Sequence, residues 1–344
     1  MATPSPITPS SGSGRIVEES GVRRVSVVVA VYQGERTLEA LVEEIVPLTA
    51  LQKTPNGLAF WVTDVILVND GAIDDSTSVM MSLASHYPFV TPLWLSRNFG
   101  QHPATLAGMA SSTGDWVVTV DEDGQFDPAD IAAMIDHAEE SGAQLVYAQP
   151  INPPPHAWWR NLGSLAVKTV AAVLVGTREI GRFSSFRLIR GEIARGIAAY
   201  CGQGVYLDVA LSWVVGKSAY CPVVLRPERE RVSGYTLRRL VAHFWRFVLT
   251  AGTRPLRIIA VFGTLSILAA AGVSLYAIWQ KLAHEVPIQG WTSLIIVVSF
   301  FSGLILFSLG VIAEFLAVTL TMAMGRPSYL IVSRPDRNKI TGRE

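Results

Sequence analysis

Residues 117–128 read VVTVDEDGQFDP, in which four apolar or β-branched residues run directly into three adjacent carboxylates. The apolar run predicts a strand that is buried on both faces of a parallel sheet. Because side chains alternate along a strand, Asp121 and Asp123 are expected on one side, with Glu122 turned away from them. Asp127 precedes a proline and is expected to cap the next helix. The stretch therefore predicts a buried strand that presents a pair of carboxylates at its carboxyl end.

Strand and helix patterns alternate on both sides of this stretch. Such an alternation predicts an α/β domain built on a mostly parallel, Rossmann-like sheet with helices on both faces. Ligands of these sheets bind beyond the carboxyl ends of the strands. The strand patterns cover residues 25–32, 61–68, 90–95, 115–121 and 145–149, and the helical patterns cover about 36–48, 75–86, 102–112 and 128–140.

Polar residues follow three of the predicted strands at that edge. Tyr32 and Glu35 follow the first strand, Asp70 follows the second, and Asp121 ends the strand quoted above. No GxGxxG or GxxxxGK[ST] phosphate loop accompanies them. Carboxylates clustered at such an edge indicate a hard divalent cation such as Mg²⁺, bound together with a nucleotide diphosphate. Turn formation and helix capping are the alternative for both the D-x-D and the N-D-G patterns.

The composition narrows the class of protein. The 344-residue chain has 28 basic and 28 acidic side chains, so it carries no net charge that would favour nucleic acid. Residues 1–24 are rich in Pro, Ser, Thr and Gly and lack an apolar core, which predicts a disordered tail rather than a secretory signal. Cys201 and Cys221 match no metal or redox spacing and are expected to be small buried thiols in a reducing compartment.

Two long, uncharged apolar segments lie in the last third of the chain, at residues 258–279 and 291–313. Each is long enough to cross a hydrocarbon core of about 30 Å as a helix, and two buried core helices are the alternative. Arginines precede the first segment and follow the second, whereas Lys281 is the only Lys or Arg between them. The distribution of basic residues predicts two spans in the inner (cytoplasmic) membrane, with both termini on the cytoplasmic side.

The predicted organisation is a cytoplasmic α/β domain joined to the membrane by a juxtamembrane segment. Residues 236–250 carry apolar side chains on one face and arginines elsewhere, which predicts an interfacial amphipathic helix. A docking helix without lipid contact is the alternative. The boundaries are 1–24 for the tail, 25–235 for the α/β domain, 236–257 for the juxtamembrane segment, 258–279 and 291–313 for the spans, and 314–344 for a cytoplasmic C-terminal segment.

Seven sequence motifs between about residue 25 and residue 330 carry a family resemblance. They read VVVAVYQGERTL, VILVNDGAIDDS, LSRNFGQHPATLAGM, VDEDGQFDP, FSSFRLIR, VSGYTLRRL and MGRPSYLI. In this order they resemble the family 2 glycosyltransferases of the GT-A fold. Within that family the chain is similar to the polyprenyl-phosphate group, which includes dolichyl-phosphate mannose synthase-like, bactoprenol glucosyltransferase-like and undecaprenyl-phosphate formamido-arabinose transferase-like enzymes.

The resemblance implies roles for individual residues at the nucleotide and metal sites. It places Asp70 at the nucleotide base, Asp121 and Asp123 near the ribose and the metal, and Gln125 in support of the metal site. The other residues that it implies at the nucleotide are Ala30, Tyr32, Glu35 and Arg97.

Basic residues are expected to hold the phosphates. The resemblance implies this for Arg160 and Arg187, and Lys168 is a further candidate for the acceptor phosphate. Asp208 is a catalytic candidate near the sugar, and a helix N-terminal carboxylate is its alternative reading.

The chain departs from the family pattern at several positions that bear on the sugar and the acceptor geometry. Ala30 replaces a proline, Glu35 is displaced by one residue, and Ala72 replaces the serine of D-G-S. Ser185 stands where many relatives carry an acidic residue. The arginine-rich acceptor loop of the family is replaced by the proline-rich residues 151–160, INPPPHAWWR.

The implied reaction is transfer of a sugar, with inversion, from a nucleotide diphosphate sugar to a polyprenyl phosphate in the lipid bilayer, with Mg²⁺ or Mn²⁺ as cofactor. The resemblance favours UDP over GDP, undecaprenyl phosphate as acceptor, a role in the cell envelope and a homo-oligomer. A processive polysaccharide synthase is one alternative, but its usual Q-x-x-R-W segment is absent from the sequence. A non-catalytic membrane scaffold that retains the fold is the other.

Overall fold

The structure is a computed structural model that describes residues 21–152, 182–202, 204, 206–226, 290–325 and 327–333, with scattered helical residues between 261 and 279. Over these residues nine strands form one mixed sheet. The strands are β1 (Arg23–Val31), β2 (Gln52–Lys53), β3 (Ala59–Asn69), β4 (Val90–Leu95), β5 (Trp116–Asp121), β6 (Leu145–Pro150), β7 (Arg187–Arg190), β8 (Ser218–Val223) and β9 (Ile331–Val332).

The sheet has the order β8-β6-β7-β5-β1-β3-β4-β9, and β2 pairs with β3 outside this path. β1 pairs in parallel with both β3 and β5, and β4 continues in parallel beside β3. β7 runs antiparallel between β5 and β6, and β9 is an antiparallel edge strand on β4. The predicted α/β domain with a parallel sheet centre is confirmed.

Helices cover both faces of the sheet. They are α1 (Leu38–Ile45), α2 (Ser76–His86), α3 (Gln101–Ala110), α4 (Ile131–Ser141), α5 (Gly191–Tyr200), α6 (Leu207–Val214) and, farther along the chain, α7 (Trp291–Ala323). α1, α2 and α4 pack on the face that contains Val27 and Val29 of β1, whereas α3, α5 and α6 pack on the opposite face with Val28. This alternation follows from the period of two in a strand.

Two helix boundaries differ from the sequence pattern because of prolines. The chain around Pro47 forms a 3-10 turn over Val46–Thr49, so α1 is shorter than the pattern suggests. Pro128 opens a second 3-10 turn before α4, and the Asp127 carboxylate accepts the N–H of Ala129 at 2.9 Å. Asp127 therefore caps this helical segment, as its position before a proline predicts.

α7 is the long apolar helix of the described C-terminal region. It continues past Ala313, the predicted end of the second span, to Ala323, since the intervening residues include no proline or glycine. Phe300–Leu320 is long and apolar enough to cross a membrane, and little of it is buried. It is the one such helix among the described residues; the predicted amphipathic segment lies outside them, as does about half of the predicted first span at 258–279.

Candidate active site

The carboxyl ends of the central strands meet at one edge. Ala30 of β1 lies beside Asp121 of β5, and Val31 lies beside Asn69 at the end of β3. The residues that follow these ends therefore share one crevice. Asp70 comes directly after β3, so the predicted acidic strand ends do converge.

Asp121 accepts a hydrogen bond at each of its carboxylate oxygens. Its Oδ1 accepts a hydrogen bond from the amide of Gln101, and its Oδ2 accepts one of 2.6 Å from Ser185 Oγ. Burial raises the pKa of Asp121, the Ser185 hydrogen bond opposes the rise, and the charge of Asp123 adds to it. Gln101 and Ser185 are neutral donors, so both can yield to a stronger ligand of the carboxylate.

Asp123 lies in the turn that follows β5. Its Oδ1 accepts the N–H of Gln125 at 3.1 Å, across Gly124, whose φ of +68° favours glycine. A second backbone hydrogen bond stabilises the turn, since the Gln125 carbonyl accepts the N–H of Arg226 at 2.8 Å. Asp123 and the Gln125 side chain are only partly buried, which leaves the turn accessible from the crevice.

Arg226 connects this turn to α1. Its guanidinium donates to Glu44 at 2.7 Å and to Asp127 at 2.5 Å. These two carboxylates raise the pKa of Arg226, with the Glu44 hydrogen bond as the main cause. Sequence reasoning gave Arg226 no role, because its partners lie far away in the chain.

Glu122 points away from Asp121 and Asp123, as the strand alternation predicts, and accepts backbone hydrogen bonds on that side of the strand. It is buried, and its two oxygens accept the N–H groups of Tyr32 and Gln33, each at 2.9 Å. A Cβ on Gly34 would lie 2.7 Å from Leu38 Cγ and 2.9 Å from Glu122 Oε2. Glycine at position 34 thus allows Glu122 to hold the end of β1.

The nucleotide residues expected on β1 lie at the shared edge. Ala30 and Tyr32 are partly exposed, and Glu35 is exposed. Glu35 joins the β1 loop to the β3 loop: its N–H donates to Asp74 at 3.1 Å, and its carboxylate accepts the N–H of Asp75 at 3.3 Å.

Asp70 is engaged by the loop after β4. It is buried, and its two oxygens accept the N–H groups of Phe99 at 2.7 Å and Gly100 at 2.8 Å. Burial raises the pKa of Asp70, and these two backbone hydrogen bonds oppose the rise. Exposed Arg97 lies over the ring of Phe99, 4.1 Å from its centroid. Asp70 therefore fixes the conformation of the Arg97-containing loop.

Arg187 is not at the surface but in a buried ion pair. Its Nη1 lies 2.5 Å from Oδ1 of Asp208, with side-chain exposures of 5% and 12%. The Tyr147 hydroxyl donates to the same Asp208 oxygen at 3.1 Å, and burial raises the pKa of that hydroxyl. Arg187 pairs with Thr119 of β5, two residues before Asp121, so this ion pair lies near the acidic strand end, and the charge of Arg187 opposes the rise in the pKa of Asp121.

Several residues singled out from the sequence either have another role in the structure or lie outside the described residues. Asp208 lies in the first turn of α6, as its alternative reading suggests, and is paired with Arg187. Arg160 and Lys168 lie outside the described residues. Cys201 and Cys221 are free thiols, and burial raises the pKa of each to about 11.

Sequence reasoning missed Gln101 as a partner of Asp121 and noted Ser185 only as a departure. A signal was present for Gln101, which follows the S-R-N-F-G motif at the start of α3. No group of three or more His, Cys, Asp or Glu side chains that could hold a metal occurs among the residues that the structure describes.

Comparison with known proteins identifies the family of this chain. The sequence profile described as Glycosyl transferase family 2 matches residues 26–201, just over half of the chain. The fold and the site define a GT-A-like α/β domain with an acidic ligand edge. The chain belongs to glycosyl transferase family 2 and is a glycosyltransferase.

The similar proteins include transferases from phage and bacteria. The bactoprenol glucosyl transferase of Shigella phage SfX is 28% identical over 325 residues, which cover 90% of this chain and 99% of that protein. The undecaprenyl-phosphate 4-deoxy-4-formamido-L-arabinose transferase of Enterobacter sp. (strain 638) is 26% identical, over 93% of this chain and 96% of its own. Glucosyl-3-phosphoglycerate synthase from Mycobacterium tuberculosis, solved with Mn²⁺ and uridine-diphosphate-glucose, aligns with 67% of this chain and 79% of its own, at 19% identity and a TM-score of 0.45.

Proposed function

We propose that this protein is a membrane-anchored, inverting glycosyltransferase that moves a sugar from a UDP-sugar to undecaprenyl phosphate or a similar polyprenyl phosphate. The observation that carries the proposal is the position of Asp121 and Asp123 at the joined ends of β1 and β5, beside the loop that Asp70 holds. The names of the phage and bacterial relatives, which cover nearly the whole chain, support the lipid-linked acceptor. Synthesis or modification of a cell-envelope glycan is the corresponding role.

Asp121 and Asp123 would hold Mg²⁺ or Mn²⁺, with Gln125 in support. Both carboxylates are hard oxygen donors that are partly exposed to the crevice. Mg²⁺ commonly takes one or two carboxylates and completes its shell with water and phosphate oxygens, so the donor set fits. When bound, the ion offsets the negative charge of the departing diphosphate.

The nucleotide would lie against the loop after β4. Both oxygens of Asp70 are engaged by backbone N–H groups, so Asp70 shapes this pocket through the loop. Exposed Arg97 on that loop and partly exposed Tyr32 on the other side are the side chains that the nucleotide would meet.

The acceptor phosphate is an anion at neutral pH and needs cations rather than a strong base. Arg187 is paired with Asp208, so it would act as a fixed positive charge beneath Asp121 and not as a free phosphate ligand. Arg160 and Lys168 are the candidates for direct contact with the phosphate. Held by them, the acceptor would attack the sugar in line with the departing diphosphate, which inverts the anomeric centre.

The membrane arrangement belongs to the same proposal. Phe300–Leu320 of α7 would be one span, and residues 258–279 would be the other, preceded by an amphipathic helix within 236–257. The arginines outside both segments support a cytoplasmic location for the α/β domain and both termini. A polyprenyl phosphate keeps its tail in the bilayer, so its acceptor group would meet the active site at the cytoplasmic surface.

The test uses the purified full-length chain with undecaprenyl phosphate, Mg²⁺ or Mn²⁺ and a panel of nucleotide sugars, followed by mass measurement of the lipid product. Asp123→Asn should reduce transfer by at least about a hundredfold, the scale seen when a preorganised electrostatic contact is lost. Asp115→Asn is the matched control, since Asp115 immediately precedes the opposite end of β5 and pairs with Arg24. Donor binding without transfer to any polyprenyl phosphate would contradict the proposal and favour a scaffold, whereas polymer formation would favour a processive synthase.

A further inference from the structure

One buried polar atom beside the candidate site has no role in the arrangement described above. Residues 145–150 read LVYAQP and form β6, whose carboxyl end lies at the same sheet edge as that of β5, because β7 runs antiparallel to both strands. Oε1 of Gln149 is buried there, and among the residues that the structure describes no donor forms a hydrogen bond to it. Buried polar groups are nearly always paired, so an unpaired acceptor at this edge requires an explanation.

Ser185 connects Asp121 to Gln149 across the sheet. Its hydroxyl donates to Asp121 at 2.6 Å. On its other side, the Ala148 N–H donates to the Phe186 carbonyl at 3.0 Å, and the antiparallel register therefore places Ser185 opposite Gln149. Neighbouring strands are about 4.8 Å apart, so the backbones at Asp121 and Gln149 are separated by two strand spacings, or about 10 Å.

The Gln149 and Ser185 side chains share one face of the sheet. Because side chains alternate along a strand, Gln149 lies on the face of Tyr147, and Ser185 lies on the face of Arg187. Tyr147 and Arg187 both contact Asp208 of α6 on that face. The polar groups of this inner row are thus paired with one another, and the unpaired acceptor belongs to the next row, nearer the crevice.

The chemistry of an amide oxygen selects the part of the substrate that it could contact. The oxygen accepts hydrogen bonds and donates none, so its ligand needs an O–H or N–H group. Ionised phosphates offer acceptor oxygens, whereas a sugar carries hydroxyl donors on most of its ring carbons. The nucleoside is expected against the loop after β4, and β4 and β6 lie on opposite sides of β5 in the strand order. The transferred sugar is therefore the group that an acceptor on β6 would meet.

We propose that Gln149 accepts a hydrogen bond from a hydroxyl group of the transferred sugar and so helps to select that sugar. The proposal rests on the proposed function, in that the donor is a UDP-sugar whose diphosphate lies at Asp121. Gln149 as a whole is partly exposed, and the terminal torsion of glutamine is soft. The amide can therefore turn its unpaired oxygen toward a ligand without breaking a hydrogen bond at that oxygen.

The opposite end of β6 supplies a matched control. Gln144 immediately precedes the strand, five residues before Gln149, and its Oε1 accepts the Gly216 N–H at 3.1 Å. This glutamine lies at the amino end of β6, away from the crevice. Gln144→Met therefore removes a paired amide, whereas Gln149→Met removes an unpaired one and keeps a side chain of similar length.

The test compares the native full-length chain with these two variants by titration calorimetry in the presence of Mn²⁺. The probes are UDP, UDP-glucose, UDP-galactose, UDP-xylose and UDP-N-acetylglucosamine. We expect Gln149→Met to weaken the binding of at least one UDP-sugar by about tenfold, the scale of one hydrogen bond, and to leave UDP binding unchanged. Gln144→Met should change neither. Equal weakening for UDP and the UDP-sugars, or no weakening for any UDP-sugar, would overturn the proposal.

Single-deoxy analogues of the affected UDP-sugar then identify the contact. In the native chain, the analogue that lacks the contacting hydroxyl should bind about tenfold more weakly than the parent. Gln149→Met should weaken that analogue no further, because the two changes remove the same hydrogen bond. A loss in Gln149→Met that persists with every single-deoxy analogue would overturn the assignment of a hydrogen bond to the sugar.

Thermal unfolding gives a readout that needs no ligand. Replacement of an unpaired buried amide by an apolar side chain removes a polar atom without a partner, so the melting temperature of Gln149→Met should not fall. A melting temperature of Gln149→Met below that of Gln144→Met would overturn the proposal, since the amide would then stabilise the fold.

Calorimetry measures binding and is independent of transfer, so the two proposals can fail separately. Selective loss of a UDP-sugar in Gln149→Met, in a chain that transfers no sugar to any polyprenyl phosphate, would contradict only the proposed reaction. Unchanged UDP-sugar affinities in Gln149→Met, in a chain that does transfer sugar, would overturn this inference alone.

Discussion

Ser185 donates a hydrogen bond of 2.6 Å from its hydroxyl to Oδ2 of Asp121, the last residue of β5. The Ser185 carbonyl in turn accepts hydrogen bonds from Thr119 at 2.7 Å and from Arg187 Nε at 3.4 Å. These two contacts to the Ser185 carbonyl therefore orient the Ser185 hydroxyl toward the Asp121 carboxylate. It stabilises the charged form of Asp121 in a place where burial favours the neutral form.

Loss of this hydroxyl should change the pH dependence of the site. Ser185→Ala removes a contact that lowers the pKa of Asp121, so that pKa should rise further. Metal binding and transfer both need the ionised carboxylate, so the acidic limb of each pH profile should move to higher pH. The measurement is Mn²⁺ binding by titration calorimetry across pH, with transfer measured in parallel. Ser184→Ala is the control, because the Ser184 hydroxyl accepts the N–H of Phe186 at 3.3 Å and, among the residues that the structure describes, makes no hydrogen bond to Asp121. An unmoved acidic limb in Ser185→Ala would rule out the tuning role.

Two aspartates at opposite ends of β5 should affect stability with opposite signs. The pKa of Asp121 is raised mainly by burial, so its contribution to the free energy of unfolding falls as pH rises through that pKa. The pKa of Asp115 is lowered mainly by its hydrogen bond to Arg24, so Asp115 stabilises above its unfolded pKa and loses that effect in acid. At pH 7, Asp121→Asn should raise the melting temperature, and Asp115→Asn should lower it by an amount equivalent to about 0–1 kcal/mol.

The check is thermal unfolding of the full-length chain in detergent at pH 7 and at pH 3. Both differences should shrink in acid: the raised pKa of Asp121 leaves its carboxyl protonated at pH 3, and the contribution of Asp115 declines below the ordinary pKa of 3.8 because its unfolded form takes up a proton. Destabilisation by Asp121→Asn at pH 7 would show that the Gln101 and Ser185 contacts outweigh the cost of burying the charge.

The sheet edge that carries the candidate site could be predicted from the sequence, but the side chains that contact the site residues could not. Apolar runs ending in carboxylates identify the ends of β1, β3 and β5, and a proline after Asp127 identifies a capped helix start. These signals are local. Asp208 and Tyr147 meet Arg187 from 21 and 40 residues away, and β9 reaches β4 across more than two hundred residues. Such contacts leave no periodic pattern in the sequence, so Arg187 reads as a phosphate ligand until its surroundings are known.

The Arg187–Asp208 pair should behave as a structural and positioning unit. Breaking a buried ion pair by removing one partner leaves an uncompensated charge, which costs about 3–5 kcal/mol. Arg187→Met should therefore lower the melting temperature strongly, and Arg187→Met with Asp208→Leu should recover much of the loss without restoring transfer. Thermal unfolding of the two single variants and the double variant measures this coupling. If Arg187→Lys instead kept full stability and raised only the KM for the acceptor, Arg187 would be a phosphate ligand.

Position 34 should tolerate no side chain. A Cβ there would approach Leu38 Cγ to 2.7 Å and Glu122 Oε2 to 2.9 Å, so Gly34→Ala should displace Glu122 from the N–H groups of Tyr32 and Gln33. Overpacking of this kind costs about 1–3 kcal/mol. Gly196→Ala in α5 is the matched control, since nothing lies within 4 Å of the position that an alanine Cβ would take there. Alanine should add about 0.5–1 kcal/mol to helix stability at this position. Equal melting temperatures for the two variants would contradict the close approach at Gly34.

Arg226 should control the shape of the turn that contains Asp123 and Gln125. Its N–H holds the Gln125 carbonyl, and its guanidinium bridges Asp127 and Glu44 with about a third of each side chain exposed. Arg226→Lys retains the charge but loses the planar fork that contacts two carboxylates at once. We expect weaker Mn²⁺ binding in calorimetry and a lower kcat, with the KM for the lipid acceptor unchanged.

Arg23→Ala is the matched control for Arg226→Lys, because it removes a single ion pair, Arg23–Glu139 at 3.1 Å, far from the turn. Both variants should lose little stability, since partly exposed pairs contribute only about 0–1 kcal/mol. Only Arg226→Lys should lose metal affinity, and Glu44→Gln should show the same loss to a smaller degree. Equal Mn²⁺ affinity in Arg226→Lys and Arg23→Ala would mean that the turn around Asp123 keeps its shape without the bridge, and that Arg226 serves only to join α1 to the sheet.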